Sequence, residues 1–95
     1  MTQNDILSCL KAHKEELQNK FTVRRIGVFG SHARGEAQLR SDVDVLVELD
    51  QPTFDHYMDL KFFLEQLLNA EVDLVMADTV KPRLQPYINQ EVIYA

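Results

Sequence analysis

Arg25-Ile26-Gly27-Val28-Phe29-Gly30-Ser31 is followed, after ten intervening residues, by Asp42-Val43-Asp44-Val45-Leu46-Val47, and these two runs decide the fold. The first is short, mostly apolar and closed by a glycine, the pattern of a buried strand running into a tight turn. In the second, Val43, Val45, Val47 and Leu49 alternate with Asp42, Asp44, Leu46 and Glu48. That period of two describes a strand with one apolar face. Between the runs the chain is small and polar, from Ser31 to Ser41.

Outward from this centre the pattern changes to helical. Ile6, Leu10, His13 and Leu17 recur at three- and four-residue steps behind Thr2-Gln3-Asn4-Asp5, which resembles a capping box, so one amphipathic helix is expected before the first strand. Tyr57, Leu60, Phe63, Leu64, Leu67 and Leu68 predict a second helix, and Val72, Leu74 and Met76, alternating with Asp73 and Val75, predict a third strand. Residues 80–89 read as a short helix with Pro82 near its start and Pro86 kinking or shortening it. Val92-Ile93-Tyr94 reads as a short edge strand. The expected fold class is α/β (α+β): a small mixed sheet of three or four strands packed with helices, with residues 1–95 forming one domain.

A chain of 95 residues buries only about two-thirds of its unfolded surface, so the core is modest. No apolar run approaches the roughly 20 residues that span a bilayer, and the first residues lack the basic-then-apolar order of a signal peptide. A soluble, cytoplasmic protein is expected. Cys9 has no second cysteine to pair with, and no Cys or His pairs stand at zinc-ligand spacing. A net charge of −5 argues against a long nucleic-acid substrate, because gripping a polyphosphate backbone takes Lys and Arg. A single nucleotide remains compatible if metal ions carry the positive charge into the site.

Asp42 and Asp44, two apart on a strand, share a face and lie roughly 6 to 7 Å apart. Two carboxylates so placed repel unless a cation sits between them. Hard oxygen ligands suit Mg²⁺ or Mn²⁺, and magnesium binds through one or two carboxylates completed by phosphates and water. Gly30 lets the backbone approach a ligand closely and frees amide N–H groups to face phosphate oxygens, Ser31 can add a hydroxyl, and Arg34 reads as a cationic contact or a structural clamp. Taken singly, Asp-x-Asp also fits the solvated side of an edge strand, and Gly-Ser an ordinary turn.

Gly30-Ser31, ten residues, then Asp42-Val43-Asp44 is together similar to the DNA polymerase β-like nucleotidyltransferase superfamily, and Gly30-Ser31-His32-Ala33-Arg34-Gly35 to Ser41-Asp42-Val43-Asp44 resembles its minimal nucleotidyltransferase (MNT) branch. The resemblance covers residues 25–76 well and the two ends loosely. It implies a polymerase β palm-like fold and a third carboxylate from a later strand, the position matched here by Asp73, with Glu71 and Asp78 as weaker candidates. It also implies ATP as substrate and two-metal chemistry, in which Asp42, Asp44 and Asp73 are at once catalytic residues and metal ligands while Gly30, Ser31 and Arg34 bind nucleotide.

Larger members resemble this core plus a domain that holds the acceptor, for which 95 residues leave no room. In the MNT branch the acceptor is a separate HEPT toxin protein. The resemblance therefore implies an antitoxin that transfers AMP to a tyrosine hydroxyl of that partner, in a hetero- or homo-oligomer whose composition the residues leave open. Two alternatives stand beside it: an antitoxin that neutralises the HEPT partner by binding alone, and the catalytic subunit of a small-molecule nucleotidyltransferase. His32 and Arg83 carry no assigned role, and His13 and His56 read as helix-surface or boundary residues.

Overall fold

The computed structural model describes residues 3–29 and 43–95. The elements run α1 (Gln3–Ala12), α2 (Lys14–Phe21), β1 (Val23–Phe29), β2 (Val43–Leu49), α3 (Phe54–Leu68), β3 (Val72–Met76), a 3-10 turn (Ala77–Thr79), α4 (Gln85–Glu91) and β4 (Ile93–Tyr94). The strands form one mixed sheet in the order β3-β2-β1-β4. β1 runs antiparallel to both β2 and β4, whereas β2 and β3 are parallel. A parallel pair requires a crossover, and α3 supplies it.

Alternation along each strand sorts the side chains between the two faces. Ile26 and Val28 of β1, Val43, Val45 and Val47 of β2, and Val72 and Leu74 of β3 are buried, and they meet Ile6, Leu10, Leu17, Leu60, Leu64 and Leu68 of the three long helices. The opposite face carries Arg25, Gly27, Asp44, Leu46, Glu48, Asp73 and Val75. A register shift between Val23 and Arg25 inserts one extra residue into β1. This bulge lets Val23 keep to the core while Arg24 and Arg25 both stand exposed. Arg24 pairs with Asp50 at 2.7 Å and Arg25 with Glu48 at 2.9 Å across the strand pair.

Two helical expectations need correction. The N-terminal helix is not continuous: the Cys9 carbonyl accepts both the backbone N–H of His13 at 3.2 Å and its ring Nδ1 at 2.8 Å, and the ladder restarts where Leu17 N–H donates to the His13 carbonyl at 2.9 Å. The apolar spacing survives the break, since Leu10 and Leu17 are both fully buried. Residues 80–89 do not form one helix either. Leu84 N–H closes a turn onto the Lys81 carbonyl at 2.8 Å, and α4 begins only at Gln85, with Pro86 in its first turn. A proline there lacks an N–H that would have no helical partner, so it starts the helix instead of kinking it. The Thr2 end of the expected capping box lies outside the described residues. For α3 the N-cap is Thr53, whose hydroxyl accepts from His56 N–H at 3.1 Å.

β4 closes the sheet against β1 in the register Gly27↔Tyr94 and Val28↔Ile93, and Ala95 N–H adds a bond to the Ile26 carbonyl at 2.9 Å. The expected edge strand thus packs on its own sheet. Gly27 permits this approach: a Cβ there would lie 2.8 Å from Val92 Cγ2, 2.9 Å from the Ile93 carbonyl oxygen and 2.9 Å from Tyr94 Cδ1. Because one of these atoms is backbone, no rotamer change relieves the clash. Gly27→Ala is expected to displace β4 and cost about 1–3 kcal/mol, typical of overpacking. The urea unfolding midpoint reads this, and an unchanged midpoint would show that β4 is not held against β1.

Candidate active site

β2 and β3 enter the sheet side by side and in the same direction, with Asp44 in register with Asp73. Neighbouring strands stand about 4.8 Å apart, so the two carboxylates project from one sheet face at nearly that spacing. Each is aimed by its neighbours in sequence. Val43 and Val45 are 2% and 0% exposed, Val72 and Leu74 both 3%, and the pleat turns the aspartates between them to the other side. Asp44 is half-buried and Asp73 exposed.

The rim of β3 is tied down around this pair. Val43 N–H donates to the Glu71 carbonyl at 2.9 Å, Val72 N–H to Glu65 Oε2 at 3.1 Å, and the Tyr57 hydroxyl to the Leu74 carbonyl at 2.7 Å. Tyr57→Phe removes the last of these bonds with no change of shape. It is expected to cost about 1 kcal/mol, a fall in the thermal midpoint of roughly 4 to 8 °C for a chain of this size. A shift under one degree would mean that this bond does not hold β3 to α3.

On the other side of β2, Phe29 is the register partner of Asp44. β1 therefore ends, and β2 begins, beside the carboxylate pair. Gly30, Ser31, Arg34 and Asp42 lie outside the described residues, as does His32. Of the six expected site residues, then, the structure brings together Asp44 and Asp73. Glu71 contributes its carbonyl to β2, Asp78 lies in the 3-10 turn, and Arg83 is exposed before α4. His56 is engaged with the Gln51 carbonyl through Nδ1 at 2.8 Å, and His13 sits at the helix junction, edge-on to Phe63.

Facing carboxylates with hard oxygen donors suit a divalent cation such as Mg²⁺. Among the described residues no group of three or more His, Cys, Asp and Glu converges. The described part thus offers two carboxylates, and Asp42, one residue before Val43, is the remaining candidate for a third. Sequence reasoning did not single out Arg25, Glu48 and Tyr94, which stand on the same face as the aspartates. The alternation through Glu48 was visible, but the bulge that turns Arg25 toward it leaves no mark in residue spacing.

The described residues thus form a mixed sheet whose parallel pair presents two aspartates in register. The nucleotidyltransferase domain family matches residues 10–95, and the chain is a nucleotidyltransferase of that family. It is 45% identical over 95 residues to the protein adenylyltransferase MntA of Thermococcus cleftensis, covering 99% of this chain and 96% of the relative. A solved structure of a minimal nucleotidyltransferase superposes with a TM-score of 0.83 at 35% identity, covering 98% of this chain and 95% of that one. A crystal structure of a toxin-antitoxin with AMP-PNP shares the fold, with a TM-score of 0.70 at 22% identity, over 99% of this chain and 72% of that one.

Proposed function

We propose that this chain is the MNT antitoxin of a HEPT toxin and transfers AMP from ATP to a tyrosine hydroxyl of that partner. The observation that carries this reading is the register of Asp44 with Asp73 on an open sheet face. The name of the Thermococcus cleftensis relative, a protein adenylyltransferase, supports a protein acceptor. Asp42, Asp44 and Asp73 hold Mg²⁺, for which Mn²⁺ can substitute. Gly30 and Ser31 bind the triphosphate, with Arg34 as a further contact. Residues 1–95 act as one domain, and the partner supplies the acceptor in a hetero-oligomer. Among the described residues no helix is long and apolar enough to cross a membrane, in keeping with a cytoplasmic site of action.

In the reaction the acceptor oxygen bonds to the α-phosphorus of ATP, the bond from that phosphorus to the bridging oxygen breaks, and pyrophosphate departs. Mg²⁺ held by Asp42, Asp44 and Asp73 would lower the pKa of the acceptor hydroxyl and would stabilise charge on the leaving group. Asp73, exposed at the sheet edge, is placed to orient the acceptor hydroxyl or to take its proton. The preorganised carboxylates spare the reorganisation that water would need.

One observation favours binding as a contribution of its own. Phe54 and Phe62 of α3 and Tyr87 of α4 are 75%, 56% and 69% exposed, apolar side chains that a partner would cover whether or not AMP is transferred.

The test is ATP labelled on either the α- or the γ-phosphorus, incubated with the chain, Mg²⁺ and the HEPT partner. Label is expected on the partner from the α position alone. Label from the γ position would mean a kinase, and label from neither would leave neutralisation by binding.

A further inference from the structure

We propose that the base of the bound nucleoside triphosphate sits in a depression between α4 and the face of the sheet that carries the aspartates, where Asn89 of α4 reads it as adenine. This inference rests on the nucleotide reading above and extends it to the part of the substrate that a phosphate and metal clamp does not recognise. The depression has a volume of about 200 Å³ and is bounded by Arg25, Leu46, Glu48, Gln85, Asn89 and Tyr94, among others. That is below the roughly 300 Å³ at which pockets begin to take drug-sized ligands, and suits a planar base without its sugar and phosphates.

Its place relative to the carboxylates is set by β2. Asp44, Leu46 and Glu48 share one face, so the depression begins one two-residue step, about 7 Å, from the carboxylate pair. A ribose fills such a gap. The floor is held in place: the Arg25 guanidinium lies 4.2 Å from the centre of the Tyr94 ring and is bonded to Glu48 Oε1 at 2.9 Å. Tyr94 itself is pressed against Gly27. Guanidinium planes and aromatic rings are the surfaces on which unpaired bases stack.

The wall is α4, where Gln85 and Asn89 stand one turn apart. Gln85 Nε2 donates to the Val80 carbonyl at 3.4 Å, which orients that side chain. Asn89 is exposed, and no hydrogen bond to its side chain occurs among the described residues. A carboxamide offers one donor and one acceptor edge, the pair that matches the N6 amino group and N7 of adenine. Guanine presents acceptors at both corresponding positions and pairs less well.

The test measures equilibrium binding of ATP, GTP and inorganic tripolyphosphate, each with Mg²⁺, to the full chain and to Asn89→Leu, a substitution at an exposed position that keeps similar volume. The wild type is expected to bind ATP at least tenfold more tightly than tripolyphosphate, and more tightly than GTP. Asn89→Leu is expected to lose about tenfold in ATP affinity, the size of one base-reading pair, and to leave tripolyphosphate binding unchanged. Equal loss for both ligands, or none for ATP, would overturn the base-reading role. If tripolyphosphate binds the wild type as tightly as ATP, the base pocket falls while the carboxylate and phosphate site stands. If neither ligand binds, both fall together.

Discussion

Asp73→Asn is expected to fold as the wild type does and to transfer AMP about 10³-fold more slowly. The side chain is exposed at the edge of the sheet, and asparagine has the same shape, so stability should move by no more than about 0.5 kcal/mol. The charge is what changes. Removal of one preorganised electrostatic group from an active site costs about 10² to 10³ in turnover, and on the function proposed above this one would also be a ligand for the ion that activates the acceptor. The loss should fall on the single-turnover rate at saturating ATP, because the triphosphate contacts proposed for Gly30 and Ser31 would remain. Asp44→Asn should lose at least as much, and the double variant far less than the product of the two, since on the proposed function both residues would hold the same ions. A single-turnover rate within threefold of the wild type would remove Asp73 from the site.

The largest effect on stability is expected at the crossover. Leu64 is fully buried, at the centre of the α3 stripe formed with Leu60 and Leu68. Leu64→Ala should cost about 2–5 kcal/mol, the range for buried leucines. A chain of 95 residues has roughly 5 to 14 kcal/mol in total at about 0.05–0.15 kcal/mol per residue. At the middle of both ranges about a third of its stability rests on one side chain, and the urea midpoint should fall accordingly. A loss below 1 kcal/mol would show that α3 repacks around the gap. The position also matters for chemistry, because α3 lays β3 parallel to β2 and so sets Asp73 beside Asp44.

That last relation marks the limit of what residue spacing shows. Alternation located β2 and β3, and it showed that Asp44 and Asp73 each face away from the apolar side of their own strand. It did not show that the two strands are neighbours in register, which depends on the length of α3 and on the bonds that tie Val43 to Glu71 and Val72 to Glu65. The helix break at His13 was hidden for a similar reason. His13 fits the apolar spacing, and only the bond from its ring to the Cys9 carbonyl distinguishes a junction from a turn of helix. Pro86 was read as a breaker because a proline inside a helix and one in its first turn look alike until the start of the helix is known. Gly27 sat in an apolar run with nothing to mark that the chain's last residues would cross against it. The Gly-Ser turn and Asp42 were the most legible chemical features of the sequence, and they fall outside the described residues, so their roles stay with the proposal.

The central claim is that the carboxylate pair serves AMP transfer to a protein, and the intact mass of the HEPT partner tests it most directly. The partner is incubated with ATP, Mg²⁺ and either the wild type or Asp44→Asn, and weighed. One or more AMP-sized increments with the wild type, and none with the variant, is the predicted result; an unmodified partner in a stable complex with the wild type would contradict it.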